Sequence, residues 1–247
     1  MRSFTSIFLL SLLISPFLVA QDSLIVPITS FNPEEYDKDA ENNKWQQLTL
    51  PKKDFTEYTL VSDDDRPYIK AVSNNSASGW KYLIDVDPKE YPIIEWKWKI
   101  DGVLENGDMT KKDGDDYAAR IYITYEYDRK DLPFGERIKY GAMKTFTSFD
   151  IPLRSMNYVW ANKAKIGRVQ ENVFTNWVHM VATESGNEKA GTWITSRANV
   201  YDSYKDAFNE EPKNITGVAI WTDSDNSKGS ATAYFGNIVF KKANSEN

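Results

Sequence analysis

The stretch Ile94-Glu95-Trp96-Lys97-Trp98-Lys99-Ile100 alternates without a break, with apolar residues on even positions and charged ones on odd positions. Successive side chains of a β-strand point to opposite faces, so this period of two specifies a strand with one face in a core and the other in water. Outward from it, short runs rich in aromatic and β-branched residues recur at 56–61, 68–73, 81–86, 117–127, 145–149, 157–160, 177–182, 191–200, 215–223 and 231–240. Between them stand turn-forming clusters such as Ser62-Asp63-Asp64-Asp65-Arg66-Pro67, Asn74-Asn75-Ser76, Asp101-Gly102, Asn106-Gly107 and Ser185-Gly186-Asn187. Many short strands and no long amphipathic helix predict an all-β sandwich.

Within 117–127 the period-two pattern puts Tyr117, Ala119, Ile121, Ile123, Tyr125 and Tyr127 on one face. Asp116, Ala118, Arg120, Tyr122, Thr124 and Glu126 fall on the other, which is polar and aromatic. One short helical turn is expected at 201–209, capped by Asp202-Ser203, and the stretch 128–145 reads as a loop or hairpin tip.

Composition narrows the function classes. The 247 residues carry 30 Lys+Arg against 36 Asp+Glu, a net charge of −6, which argues against a nucleic-acid-binding surface. Hydrophobic residues at 41% and charged residues at 27% belong to a chain that builds a core. The absence of cysteine removes thiol catalysis, Cys-ligated zinc, iron–sulfur clusters and disulfides. Residues 1–20 have one charge, Arg2, then the apolar run Ile7-Phe8-Leu9-Leu10-Ser11-Leu12-Leu13-Ile14, Pro16 and the small Ala20, the pattern of a secretory signal peptide. The run is too short to span a bilayer, so no membrane insertion of the mature chain is expected. Cleavage after Ala20 leaves an acidic protein exported to the periplasm or the cell exterior. Residues 21–44 then form a Pro/Asn/Asp-rich lead-in segment, and 45–242 a single sandwich domain.

Three clusters carry chemistry. In Lys112-Asp113-Gly114-Asp115-Asp116-Tyr117-Ala118-Ala119-Arg120 a glycine turn leads into a strand that places Asp116 and Arg120 on one face, four residues apart. This reads either as a salt bridge or as an Arg that grips a hydroxylated or carboxylated ligand, oriented by Asp116. In Trp221-Thr222-Asp223-Ser224-Asp225-Asn226 the oxygen side chains of Asp223, Asp225 and Asn226 could coordinate calcium, hydrogen-bond sugar hydroxyls, or simply close an Asx-rich turn. No other cofactor is indicated. Along 191–200, Trp193, Thr195, Arg197 and Asn199 share a face; a Trp in a strand is usually core, but an aromatic plate beside hydrogen-bonding groups is also what a pyranose ring requires. The sole histidine, His179, lies among Trp177, Val178, Met180 and Val181 and reads as structural. No Gly-x-Ser-x-Gly elbow, phosphate loop or dinucleotide-binding turn is present.

Taken in order, Trp96-Lys97-Trp98, Lys112-x-Gly114-Asp115-Asp116-x-Ala118-Ala119-Arg120, Tyr158-Val159-Trp160, Gly191-x-Trp193, Arg197-x-Asn199-Val200-x-Asp202-x-Tyr204 and Thr222-Asp223-x-Asp225-Asn226 resemble the bacterial family called domain of unknown function 3047, from about residue 45 to 240. The resemblance implies an exported β-sandwich of jelly-roll or galactose-binding-like shape and brings no activity with it. It also groups Asp116, Arg120, Trp193, Arg197, Asp223, Asp225 and Asn226 as one expected site. The leading expectation is a non-catalytic carbohydrate-binding domain for a polysaccharide or oligosaccharide. Its alternatives are a polysaccharide-cleaving hydrolase or lyase using carboxylates, and a structural or interaction protein of the cell envelope whose buried ion pairs pin loops.

Overall fold

The computed structural model describes residues 22–62, 66–144 and 152–243. The signal peptide expected at 1–20 and the strand expected at 145–149 lie outside the described residues. Within them the strands are β1 (Ser23–Val26), β2 (Trp45–Thr49), β3 (Glu57–Val61), β4 (Tyr68–Asn74), β5 (Ala77–Val86), β6 (Ile93–Ile100), β7 (Arg120–Tyr125), β8 (Ser155–Ala161), β9 (Val169–Glu171), β10 (Val178–Ser185), β11 (Ile194–Asn199), β12 (Ile215–Asp223) and β13 (Ser230–Lys241). Two helices, α1 (Phe134–Lys144) and α2 (Val200–Phe208), interrupt them. The strands form the expected all-β sandwich. Sheet A runs β11-β6-β13-β4-β3, with β1 paired to β13, and sheet B runs β2-β5-β12-β7-β8-β10-β9. The named pairings are antiparallel except β8 with β10.

The alternation in β6 is realised as read. Ile94, Trp96, Trp98 and Ile100 are fully buried, while Glu95, Lys97 and Lys99 face outward. Trp96 packs on Tyr158 with ring centroids 5.3 Å apart, and Trp98 on Trp160 at 5.7 Å, so β6 and β8 stitch the two sheets together. The indole N–H of Trp98 donates to Ser196 Oγ at 3.1 Å and that of Trp160 to the Gly186 carbonyl at 3.0 Å, which satisfies these two polar tips inside the core. In β13 one extra residue falls between Phe235 and Ile238 opposite Trp98 and Trp96, a bulge that contains Gly236.

Four local readings change. The stretch read as a loop or hairpin tip at 128–145 contains helix α1; its two glycines, Gly135 and Gly141, weaken the helical signal, and burial of Tyr140 against Trp177 supplies the missing stability. Helix α2 is capped by Asn199, whose side chain accepts from the amides of Tyr201 and Asp202 at 3.1 and 3.0 Å, rather than by Asp202-Ser203. Strand β7 begins only at Arg120, so residues 116–119 do not follow the alternation assigned to them. Part of the 21–44 segment joins the fold, because β1 extends sheet A and Phe31 packs edge-on against Trp45 and Trp80.

Candidate ligand-binding site

The seven residues expected to form one site occupy two places. Asp116, Arg120, Asp223, Asp225 and Asn226 meet where β12 ends and the 101–119 loop feeds β7. Trp193 and Arg197 lie on or beside the edge strand β11, on the outward surface of the other sheet.

Register explains the first group. Trp221 on β12 pairs with Arg120 on β7, which brings Asp223 within reach of the guanidinium. Arg120 Nε donates to Asp223 Oδ1 at 3.1 Å and Nη2 donates to Asp223 Oδ2, a fork-on-fork pair. Nη2 also donates to the Asp115 carbonyl, Nη1 to Tyr122 OH at 3.3 Å, and the guanidinium lies over the Tyr117 ring at 4.3 Å. Asp223 Oδ1 further accepts from the Tyr117 amide at 2.9 Å. Arg120 and Asp223 are 2% and 4% exposed, so this pair is a buried latch between strand end and loop. Asp116 does not orient Arg120 as expected, because its Oδ1 accepts from Asn226 N and Nδ2 at 3.2 and 3.0 Å and its Oδ2 from the Ser227 amide. Burial holds the carboxyl of Asp115 above its ordinary value and pushes that of Asp223 up to about 8, with the neighbouring Arg120 opposing both shifts without cancelling them.

Asp116, Asp223 and Asp225 each offer an oxygen within 4.8 Å of the others, the one group of carboxylates among the described residues placed to hold a metal ion. The donor set is already engaged: Arg120 holds Asp223, backbone amides hold Asp116, and Lys53 Nζ sits 2.5 Å from Asp225 Oδ2. Calcium, which takes six to eight oxygens, would have to displace these partners.

The second group faces solvent. Lys99, Tyr234 and Lys70 line up by register on the outward side of sheet A across β6, β13 and β4, and Trp193, the residue before β11, lies beside Lys99. Tyr68 approaches Trp193 at 5.5 Å and Tyr234 at 5.8 Å between ring centroids, and Trp193 and Tyr234 are 6.3 Å apart. Lys99 Nζ lies 4.0 Å above the Tyr234 ring and 5.5 Å from that of Trp193. Gly236, in the β13 bulge, leaves the floor bare: a Cβ there would stand 3.4 Å from the Trp193 ring and 3.2 Å from Lys97 Cβ. Seven of the eight tryptophans are buried, whereas Trp193 is 40% exposed. Arg197, two positions beyond Thr195 on the same outward face, is exposed as well. Sequence reasoning found Trp193 and missed Tyr68, Lys99 and Tyr234. Each occupies an outward position of an alternating run, but only strand pairing shows that the three are neighbours.

No curated protein matches the chain in sequence. Among solved structures, the glycoside hydrolase domain of Endo-D from Streptococcus pneumoniae R6 is similar at 9% identity and a TM-score of 0.38, over 82% of this chain and 22% of that one. The chain thus spans about a fifth of that relative's length. A family 30 carbohydrate-binding module of a cellulosomal cellulase from Clostridium thermocellum is similar at 11% identity and TM-score 0.36, over 80% of this chain and 94% of the module. The family 11 xylanase from Neocallimastix patriciarum is similar at 7% identity and TM-score 0.35, over 90% and 93%. The family model described as "Protein of unknown function (DUF3047)" matches residues 43–239, and the chain belongs to that family.

Proposed function

We propose that the protein is an exported, non-catalytic carbohydrate-binding domain whose sugar-binding surface is the outer face of sheet A around Trp193. The observation that carries the reading is the exposure of Trp193 among seven buried tryptophans, flanked by Tyr68, Tyr234 and Lys99. An indole kept in water is an unspent apolar surface, and the C–H face of a pyranose is a complementary partner for it. The hydroxyls at the ring's edge then meet Lys99 and the phenols of Tyr68 and Tyr234. The exposed Arg197 extends the same face.

Binding rather than cleavage is favoured because the carboxylates that would serve as acid and base are held in the latch. Asp223 is paired with Arg120, Asp116 with backbone amides, and Asp225 with Lys53. These residues are better read as holding the loop to the strand end.

The test is affinity electrophoresis of the mature chain through gels containing cellulose derivatives, xylan, mannan or starch, with Trp193→Ala beside it. Retardation by at least one polysaccharide that Trp193→Ala abolishes is the expected result. Equal mobility of the two proteins in every gel would overturn the assignment of this face.

A further inference from the structure

The charge on the outer face of sheet A runs against that of the chain. The whole sequence carries −6, yet the outward positions of β4 and β6 around Trp193 hold Lys70, Lys97 and Lys99. Among the described residues none of these three enters an ion pair. Glu95, the outward carboxylate of β6, is held near the other end of the strand by Lys241 at 3.0 Å and stands opposite Arg197. Glu57 lies on the edge strand β3 opposite Val72 rather than Lys70. Asp101 accepts from the Tyr234 hydroxyl at 3.2 Å and offsets at most one of the three lysines.

The three ammonium groups are gathered around the exposed rings. Register sets Lys70 and Lys99 on either side of Tyr234, each one strand spacing of about 5 Å away. Lys99 Nζ lies 4.0 Å above the Tyr234 ring, a contact that orients the ammonium and neutralises none of its charge. Lys97 borders Trp193 from the opposite direction, across the bare floor at Gly236. Like charges this close repel one another, since salt screens them only beyond about 8 Å. A bound anion converts that repulsion into attraction.

One chemical class answers both features of the face. Trp193 calls for the C–H face of a pyranose, and the lysines call for an oxyanion at the ring's edge, which ammonium groups take as rotatable point charges. We infer that this face binds an acidic polysaccharide, one whose pyranose units carry a carboxylate or a sulfate. One ring stacks on Trp193 with its anion between Lys97 and Lys99, and Lys70 receives the anion of a neighbouring unit. The inference rests on the reading of this face as a sugar-binding surface and adds to it the charge of the sugar.

The experiment is isothermal titration of the mature chain with polymers matched in backbone and different in charge. Polygalacturonate is set against its methyl ester, dextran sulfate against dextran, and polyglutamate serves as a polyanion without sugar. Expected is binding of polygalacturonate or dextran sulfate about tenfold or more tighter than of its uncharged counterpart. Combining Lys70→Gln, Lys97→Gln and Lys99→Gln should erase that difference, and Trp193→Ala should abolish binding. These are surface positions, so the variants keep the fold. The pair that responds separates a carboxylate ligand from a sulfate. An uncharged polymer bound as tightly as its charged counterpart, or charged binding untouched by the triple lysine variant, would overturn the inference and leave Trp193 as a sugar-binding plate. Polyglutamate bound as tightly as the polysaccharides and indifferent to Trp193→Ala, or no binding of any polymer, would overturn the inference together with the reading on which it rests.

Discussion

Arg120 and Asp223 stand 103 residues apart in the chain and meet in a buried two-pronged pair, Nε on Oδ1 at 3.1 Å and Nη2 on Oδ2. The pair ties the loop before β7 to the end of β12, and it does so where water cannot take over either charge. Removing one partner strands the other in a low-dielectric setting, which is costlier than removing both.

Arg120→Met and Asp223→Leu are each expected to lower unfolding free energy by about 3–5 kcal/mol. The double variant is expected to lose clearly less than the sum of the two. Urea unfolding of the four proteins checks this, and strict additivity would show that the residues are not coupled.

His179 is expected to titrate below the ordinary imidazole value of 6.5, chiefly because burial disfavours its charged form, with Arg154 adding to that effect and Glu171 opposing it. A depressed folded-state value means that the unfolded chain binds the proton more readily. The stability it contributes is therefore complete above pH 6.5 and is lost as pH falls through the folded value. Because the chain has one histidine, a single imidazole resonance reports the titration without assignment. A midpoint at or above 6.5 would contradict the prediction, and His179→Gln should flatten this part of the stability profile.

Calcium is expected to leave the melting temperature unchanged, and EDTA likewise, because the oxygens of Asp116, Asp223 and Asp225 are held by protein donors. A site filled at a hundred times its dissociation constant would stabilise the fold by about 2.7 kcal/mol, a shift easily seen in a thermal scan. A rise with calcium that grows in Lys53→Gln would show that the ion competes with Lys53 for Asp225.

The sandwich was legible because its evidence is local. Each of Ile94, Trp96, Trp98 and Ile100 is buried by the same alternation that names it, and no distant residue is needed to see that. Site geometry is not local in this sense. Period-two spacing pairs Arg120 with Asp116, its near neighbour in sequence, whereas the carboxylate it binds arrives from β12 through strand register. The same limit separated Trp193 from Tyr68 and Tyr234, which three different strands bring together, and merged it with acidic residues that sit on the opposite sheet. Helix α1 escaped notice for another reason, since its two glycines weaken its propensity and its stability comes from Tyr140 packing on Trp177.

Strand β13 pairs with β1, β4 and β6, so the first strand of the described chain and two of its later ones all wait for the last. That strand follows all three of its partners in the chain. Without it, sheet A consists of separate pieces such as the β3–β4 and β6–β11 pairs, and β6 lacks one of its two flanking strands. Closing sheet A thereby depends on pairings far apart in sequence, a high contact order with a correspondingly slow folding rate.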